Sequence, residues 1–191
     1  MEPMKAPEPN GFPTCFFQDH WASVGPKIGK VVFDFFRYGS FDEELNFTHI
    51  ALILKKIGAS KFTNFRPISL YNIVYKINSK VLANWLKVIL PSIISPTQSA
   101  FIPWRLITDN ILVAYETLHT MHARMWGKVG YMALKLYMSK VYDRVGWAFL
   151  EAVMRKMGFD EKWVGLVMAC VTSVKYSIII NGEPVGLIRP S

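Results

Sequence analysis

The residues of this sequence that are best suited to chemistry are basic side chains gathered in one acid-free segment. The 64 residues from Leu45 to Thr108 include no Asp or Glu. Outside this segment 14 basic residues balance 14 acidic ones, so the segment carries the whole net charge of +8. Such a segment either faces phosphate groups or is a solvated basic surface without a ligand. Its bases are Lys55, Lys56, Lys61, Arg66, Lys76, Lys80, Lys87 and Arg105.

The acidic residues, histidines and cysteines show no comparable pattern. His119 and His122, spaced i and i+3, have no third ligand to complete a metal site. Cys15 and Cys170 lie far apart, form no C-x-x-C pair and give no sign of zinc. No two of the acids from residue 130 onward are spaced like an active-site pair, and these acids are Asp143, Glu151, Asp160, Glu161 and Glu183.

The elements that position the basic segment can be predicted from hydrophobic spacing. Residues 14–38 have helical spacing that is broken near Gly25 and Pro26. The apolar and β-branched run 47–54 predicts a strand, and a loop is predicted over 55–67.

A long helix is predicted over residues 71–90, ended by Pro91. On this helix Lys76, Lys80 and Lys87 fall within about 40° of one another, at 100° per residue. Apolar side chains cover most of the remaining surface. The pattern therefore predicts a mostly buried helix that presents one basic stripe to solvent or to a ligand.

The rest of the chain mixes helices and strands without regular alternation, which predicts an α+β fold. Asn181-Gly182 is typical of a tight hairpin turn, and a second hairpin strand is expected to begin after it. The predicted elements are a loop over 91–105, a helix over 108–123 with Thr108 as N-cap, a strand over 130–137, a helix over 147–157, a helix over 160–172 begun by Asp160, and a strand over 175–181.

The sequence also predicts the cellular compartment of the protein. The acidic, Pro-rich start MEPMKAPEPN resembles neither a secretory signal nor a transit peptide. The longest clean apolar run, VGLVMACV, is far shorter than the roughly 20 residues of a membrane span. We therefore expect an intracellular protein, cytoplasmic or nuclear, that is not secreted and has no membrane partner.

Several segments together resemble the reverse transcriptase domain of LINE-type (non-LTR) retrotransposons, most closely the plant kind. Their order and spacing match over nearly the whole chain. The segments are KAPEPNGFP (5–13), HIALILKK (49–56), NFRPISL (64–70), YKINSKVLANWLK (75–87), ISPTQSAFIPWRLITDNILVAYE (94–116), KLYMSKVYDRVGWAFLEAVMRKMGF (135–159) and SIIINGEP (177–184).

The resemblance implies a partial right-hand polymerase, with fingers plus the first half of a palm. Residues 1–127 correspond to a fingers-like region that includes the basic segment 45–108. Residues 128–191 correspond to the first part of the palm, truncated before the second catalytic box. Helices are expected to pack on an incomplete antiparallel sheet.

The family's chemistry is phosphoryl transfer by two Mg²⁺ ions held on carboxylates. In the family motif K-L-D-x-S-K-A-Y-D the first Asp is a metal ligand, and Tyr137 stands at that place here. Asp143 matches the second Asp, which is not a ligand in the family. Neither the Y/F-x-D-D box nor the G-L-R-Q-G-D-P loop occurs in this sequence. The family is an RNA-directed DNA polymerase, a nucleotidyltransferase, but we expect this chain to be inactive and to hold no cofactor.

Other departures from the family pattern are scattered along the chain. Trp104 stands where the family has Gly in P-G-R, and such a replacement is costly if that Gly had φ > 0. Leu54 replaces Pro and Trp85 replaces Arg. Glu8 and Asn10 replace Gly and Asp.

The residues that match the family's nucleotide-approach positions are retained. Lys55, Lys56 and Arg66 match the bases that hold the incoming nucleotide's phosphates. Tyr142 matches the aromatic residue under the sugar, or packs in the core. The resemblance places Gln98 and Arg105 in a template-contacting loop, and we assign Lys76, Lys80 and Lys87 to the template as well.

Three hypotheses follow from these observations. The chain is an inactive reverse transcriptase fragment, or a non-enzymatic remnant that still binds nucleic acid, or a pseudogene product without function. The expected partner is RNA or DNA, bound weakly and electrostatically. No small-molecule substrate is expected beyond contact with nucleotide phosphates.

Overall fold

The computed structural model describes residues 11–58, 60–124, 130–136 and 144–190. The chain forms two compact units, one made of Met1–Leu82 with Gly146–Ser191 and the other of Ala83–Val145. The boundary that the resemblance implies between fingers and palm, at residues 127 and 128, lies outside the described residues. It stays a prediction.

A four-stranded sheet forms the centre of the first unit. Its strands are β1 (Phe47–Leu54), β2 (Phe65–Leu70), β3 (Lys175–Ile180) and β4 (Glu183–Ile188). They neighbour one another in the order β2-β1-β3-β4, with the central pair parallel and both outer pairs antiparallel. The expected α+β fold is confirmed, and the sheet is antiparallel except where β1 meets β3.

Six α-helices are present in the described parts of the chain. The second unit contains the C-terminal part of the helix Ile73–Ile93 and all of the helix Ile107–Ala123, and the remaining helical residues belong to the first unit. None of these helices combines the length and apolar composition needed to cross a membrane. The helices are α1 (Thr14–Asp19), α2 (Trp21–Tyr38), α3 (Ile73–Ile93), α4 (Ile107–Ala123), α5 (Trp147–Lys156) and α6 (Glu161–Thr172).

The core of the first unit joins α2, α3 and α6. Phe35, Leu82 and Leu166 are buried together with Cys170, and partly buried aromatic rings pack around them. The Phe35 and Phe41 rings lie 4.4 Å apart between centroids. Burial of these side chains stabilises each by about 1.5–3 kcal/mol relative to exposure. The core therefore fixes three helices against one another.

One buried polar contact ties the sheet to α6. Asn46, which is 1% exposed, precedes β1. Its Nδ2 donates to Ser173 Oγ at 2.7 Å and to the Cys170 carbonyl oxygen at 3.4 Å. A buried amide costs free energy unless it is hydrogen-bonded, so these bonds select one arrangement of β1 against the end of α6.

Two capping and turn predictions are confirmed. Asp160 is the N-cap of α6, and its Oδ1 accepts from the Lys162 backbone N–H at 2.9 Å. Asn181 and Gly182 join β3 to β4 with φ of 52° and 89°. Two positive φ values are the signature of a two-residue turn whose twist matches the hairpin.

Several predicted helix boundaries are wrong. The break in residues 14–38 falls at His20, and Pro26 lies inside α2, where it removes a single hydrogen bond. Pro91 does not end α3, because the helix continues to Ile93 and the Ile94 N–H still reaches the Leu90 carbonyl oxygen at 3.0 Å.

The start of α4 also differs from the prediction. Leu106 is the N-cap and provides no side-chain bond, whereas Thr108 lies within the first turn. The Asp109 N–H donates to the Leu106 carbonyl oxygen at 3.2 Å. The backbone of the preceding loop therefore sets the start of α4, not a threonine cap.

The predicted strand over 130–137 is not formed in its described part. Residues 130–136 are irregular and exposed. Both sides of β3 are occupied, one by β1 and the other by β4. This stretch finds no unpaired side of β3, and its apolar side chains are not buried. Nothing therefore offsets the conformational entropy that would be lost by ordering it as a strand.

The loop predicted over residues 55–67 is wrong at its end, because β2 begins at Phe65. Pro67 is accommodated because β2 is the edge of the sheet, where a missing N–H can face away from the ladder. Pro67 is paired with Leu52 of β1.

Candidate nucleic-acid interface

The β1–β2 hairpin brings together basic residues that are separated in sequence. The ladder ends with Leu54 paired to Phe65, and the Lys55 N–H extends it by donating to the Asn64 carbonyl oxygen at 2.8 Å. The connection closes with a short 3₁₀ turn over Phe62–Asn64. We call its four bases the hairpin bases, and these are Lys55, Lys56, Lys61 and Arg66.

Strand alternation places two of the hairpin bases on the same face. Arg66 pairs with Ile53, and Lys55 follows directly after β1, two residues beyond Ile53, where its N–H continues the ladder to the Asn64 carbonyl oxygen. Side chains at i and i+2 share a face, and diagonal neighbours lie about 7–8 Å apart between Cα atoms. Lys55 and Arg66 are therefore diagonal neighbours at the end of the ladder.

The hairpin bases are available to an anion. All four are exposed. Lys55 Nζ donates to the Thr63 carbonyl oxygen at 2.8 Å, which uses one of its three donors. Neither Lys56 nor Arg66 forms an ion pair with any residue that the structure describes.

The three lysines of the predicted stripe on α3 differ in exposure. Lys80 and Lys87 are exposed, and Lys76 is half-buried. Lys76 and Lys80 belong to the first unit and Lys87 to the second. Their contact with a template stays a prediction.

Arg105 organises the loop between α3 and α4. Its Nη1 donates to the carbonyl oxygens of Ser95 at 2.6 Å and Gln98 at 2.8 Å. Its Nη2 lies 3.4 Å from the carbonyl oxygens of Pro91 and Ile94. Carbonyls at a helix C-terminus carry partial negative charge, so a guanidinium is stabilised there.

A template role is predicted for two residues of this loop, Gln98 and Arg105, whose side chains differ in their availability. The Arg105 guanidinium already donates to the protein's own backbone, whereas the Gln98 side chain is exposed. No local pattern predicts the capping role of Arg105, because the role depends on how the chain folds back after α3. Template contact by either residue stays a prediction.

Two aromatic residues of this loop have left-handed backbone conformations. Phe101 has φ of 64° and Trp104 has φ of 66°. Both side chains project outward, with 80% of Phe101 and 100% of Trp104 exposed. The condition under which replacement of the family's Gly by Trp104 is costly is therefore met.

The described acids of the C-terminal region have structural roles or lie apart. Glu151 and Glu161 both pair with Arg155, at 2.9 and 3.0 Å, and Asp160 caps α6. Among described residues no three His, Cys, Asp or Glu side chains come together as a metal ligand set.

Three of the predicted positions lie outside the described residues. They are Tyr137, at the family's metal-ligand position, Tyr142, at the nucleotide position, and Asp143. Their predicted roles stay predictions.

A serine–histidine contact that the sequence did not suggest lies in the sheet. His49 Nδ1 and Ser177 Oγ are 2.5 Å apart, across the parallel β1–β3 pair. Ser177 is only 2% exposed, so a substrate could not reach its hydroxyl. The contact joins two strands and has no nucleophilic role.

Comparison with known proteins identifies the family. Residues 53–188 match the family described as reverse transcriptase (RNA-dependent DNA polymerase). The chain is 30% identical over 177 residues to the transposon TX1 uncharacterized 149 kDa protein of Xenopus laevis. The match covers 93% of this chain but 13% of that protein.

These matches confirm the family that the sequence motifs predicted, together with a transposon-encoded relative. The plant-like part of that prediction stays a prediction. Members of the family generally use Mg²⁺. The chain belongs to the reverse transcriptase (RNA-dependent DNA polymerase) family.

Proposed function

We propose that this chain is a segment of a retrotransposon reverse transcriptase that binds RNA or DNA through the hairpin bases and does not polymerise. The observation that carries the proposal is the β1–β2 hairpin. It presents exposed Lys55, Lys56, Lys61 and Arg66 without an ion-paired acid among the described residues.

The chemistry of the hairpin bases suits phosphate. Arg66 offers a planar fork that can donate two parallel hydrogen bonds to phosphate oxygens. Lys56 offers a mobile point charge, and Lys55 has two donors left after its bond to Thr63. Contacts of this kind neutralise backbone charge without reading bases, so we expect binding that is indifferent to sequence.

The proposed loss of polymerisation rests on the residue types at the family's metal site. A tyrosine phenol has an ordinary pKa near 10, so Tyr137 is neutral at pH 7 and cannot supply the negative charge of an aspartate. The described acids nearest in sequence on the C-terminal side are used by Arg155 and by the α6 cap. We also propose the division into a fingers-like region over 1–127 and a partial palm over 128–191.

Primer extension tests the inactivity. The purified chain should incorporate no nucleotide on an RNA or DNA template with Mg²⁺ or Mn²⁺. Tyr137→Asp should not restore activity, because the chain has no Y/F-x-D-D box to supply the other carboxylates. Template-dependent incorporation by the wild-type chain would refute this part of the proposal.

A binding assay with a charge-matched control tests the role of the hairpin. Fluorescence anisotropy with a labelled oligonucleotide at low salt should show weaker binding by the triple variant Lys55→Ala, Lys56→Ala, Arg66→Ala. The control removes the same charges elsewhere, at the exposed Lys156, Lys162 and Arg189. It should bind nearly as the wild type does, and equal losses in both variants would show that only net charge matters.

The same assay separates the remaining hypotheses. A chain that binds but does not extend a primer is a nucleic-acid-binding remnant of a polymerase. A chain that melts cooperatively but binds no nucleic acid at low salt is a product without this function. The binding partner, RNA or DNA, agrees with an intracellular location, which remains part of the proposal.

A further inference from the structure

The loop between α3 and α4 presents two aromatic rings to solvent in an unfavourable backbone conformation. Trp104 is 100% exposed and Phe101 is 80% exposed. Each has φ near 65°, a region that L-residues adopt at a cost. Trp104 is fully exposed on strained backbone and does not contribute to a core, so its position needs another explanation.

The surrounding contacts hold this loop in place. Arg105 Nη1 donates to the carbonyl oxygens of Ser95 and Gln98, at 2.6 and 2.8 Å. Asn110 Nδ2 donates to Ser99 Oγ at 2.8 Å, which ties the loop to α4. Ile102 lies between the two aromatics in sequence and is 7% exposed. The rings are therefore presented from an anchored backbone.

A cavity with a basic rim adjoins this loop within the second unit. Its volume is about 500 Å³, and Phe101 and Lys87 both line it. Apart from Lys87 its lining is apolar, with Ala83, Leu86, Leu90, Ile102 and Pro103. The nearest acid in sequence, Asp109, lies in the first turn of α4. Every residue of the lining belongs to the acid-free segment.

We propose that the exposed indole ring of Trp104 is a stacking platform for an unpaired base of a single-stranded nucleic acid. Aromatic side chains beside basic groups bind single strands because every base has a π-face and every nucleotide has a phosphate. Lys87 supplies a charge for the adjoining phosphate. This inference rests on the proposed function and adds a base-dependent contribution to binding that the hairpin bases do not provide.

The test compares two strands that carry the same phosphates. A labelled oligo-dT and an abasic strand of equal length are titrated with the full chain. Wild-type protein should bind oligo-dT about fivefold or more tightly than the abasic strand, because one stacked base contributes about that factor. Trp104→Gly should remove the preference and leave the affinity for the abasic strand unchanged. Trp104→Phe should retain part of it.

Phe33→Ala serves as the matched aromatic control. Phe33 is 76% exposed on α2, outside the acid-free segment, and the variant should keep the full preference for oligo-dT. Equal wild-type affinity for both strands would overturn the platform and leave the proposed phosphate binding intact. No binding to either strand would overturn both. A preference that survives in Trp104→Gly would also overturn the platform.

Discussion

Trp104 shows how one residue type conflicts with the backbone that it occupies. Its φ of 66° favours glycine, the residue that the family resemblance predicts at this place. A side chain in this conformation costs about 1–2 kcal/mol, whereas glycine loses about 0.5–1 kcal/mol more in conformational entropy on folding. The side chain itself is fully exposed, so it gains no burial energy in return.

We therefore predict that Trp104→Gly raises the free energy of unfolding by about 0.5–1 kcal/mol. Urea unfolding followed by circular dichroism measures the change. Asn181→Gly is the control, because Asn181 also has positive φ, 52°, but asparagine tolerates it. A Trp104→Gly variant that is less stable than wild type would mean that the indole ring makes a stabilising contact.

Asn78 is a second residue whose type conflicts with its surroundings. It is 0% exposed on α3, and neither Oδ1 nor Nδ2 has a hydrogen-bond partner among the described residues. Leucine has the same branched arrangement of heavy atoms. We expect Asn78→Leu to stabilise the chain by about 1–3 kcal/mol, the usual cost of an unsatisfied buried polar group.

The control for this prediction lies on the same helix. Asn84 is exposed, so Asn84→Leu should change the free energy of unfolding by less than about 0.5 kcal/mol. Chemical unfolding of both variants makes the comparison. Destabilisation by Asn78→Leu would show that the Asn78 amide is hydrogen-bonded in solution, for example by a buried water.

At the scale of elements, local sequence predicted what local interactions determine. β1, the β3–β4 turn and the Asp160 cap follow from hydrophobic spacing and from side chains that act within a few residues. The strand predicted over 130–137 is not formed in its described part. A strand needs a neighbouring strand to pair with, and the residues of a single strand do not specify that neighbour. The capping role of Arg105 was unpredictable for the same reason.

Three ionisable side chains, on three elements of the first unit, have pKa values that burial raises. Burial raises the pKa of the Cys170 thiol on α6 from its ordinary 9.0 to about 12. Burial, with smaller effects from Tyr71, also raises the pKa of Tyr75 on α3 and of Tyr176 on β3 above the ordinary 10.0. The Tyr71 and Tyr176 hydroxyls lie 3.5 Å apart.

These shifts predict that the chain loses stability at alkaline pH. Above pH 9 the unfolded chain releases protons that the folded chain retains, so the stabilisation is complete below pH 9 and declines as pH rises toward 12. Cys170 alone should account for a loss of about 1–2 kcal/mol by about pH 10.5.

Urea unfolding at about pH 8 and pH 10.5 measures this loss. Cys170→Ala should be less stable than wild type at both pH values because it leaves a small cavity. The decrease in its free energy of unfolding from about pH 8 to about pH 10.5 should be smaller than that of wild type by the Cys170 contribution. An equal loss in wild type and Cys170→Ala would show that the thiol does not titrate in this window.

At the scale of the whole molecule, charge distribution is the property that the sequence predicted most directly. The acid-free segment is evident from the sequence alone, and its bases Lys55 and Arg66 occupy neighbouring positions because β1 pairs with β2. The resemblance named the same two residues, since both lie in motifs that the family shares. Their availability depends on the absence of ion pairs to them within the described part of the chain, which no local pattern could show.

The central claim is that phosphate contact at the hairpin accounts for the binding of nucleic acid. It predicts a salt dependence, because each neutralised phosphate contributes about −0.7 to −0.9 to the slope of log K against log salt. Four hairpin bases should give the wild-type chain a slope of about −3. A cooperative thermal transition must first show that each protein is folded.

The most direct test is therefore the slope itself, measured for the wild type and for the triple variant Lys55→Ala, Lys56→Ala, Arg66→Ala. The account predicts that the variant's slope is smaller in magnitude by about 2, since three contacts are lost. The control variant of Lys156, Lys162 and Arg189 should keep the wild-type slope. Wild-type affinity that does not change with salt, or a slope that is the same in the triple variant, would contradict the account.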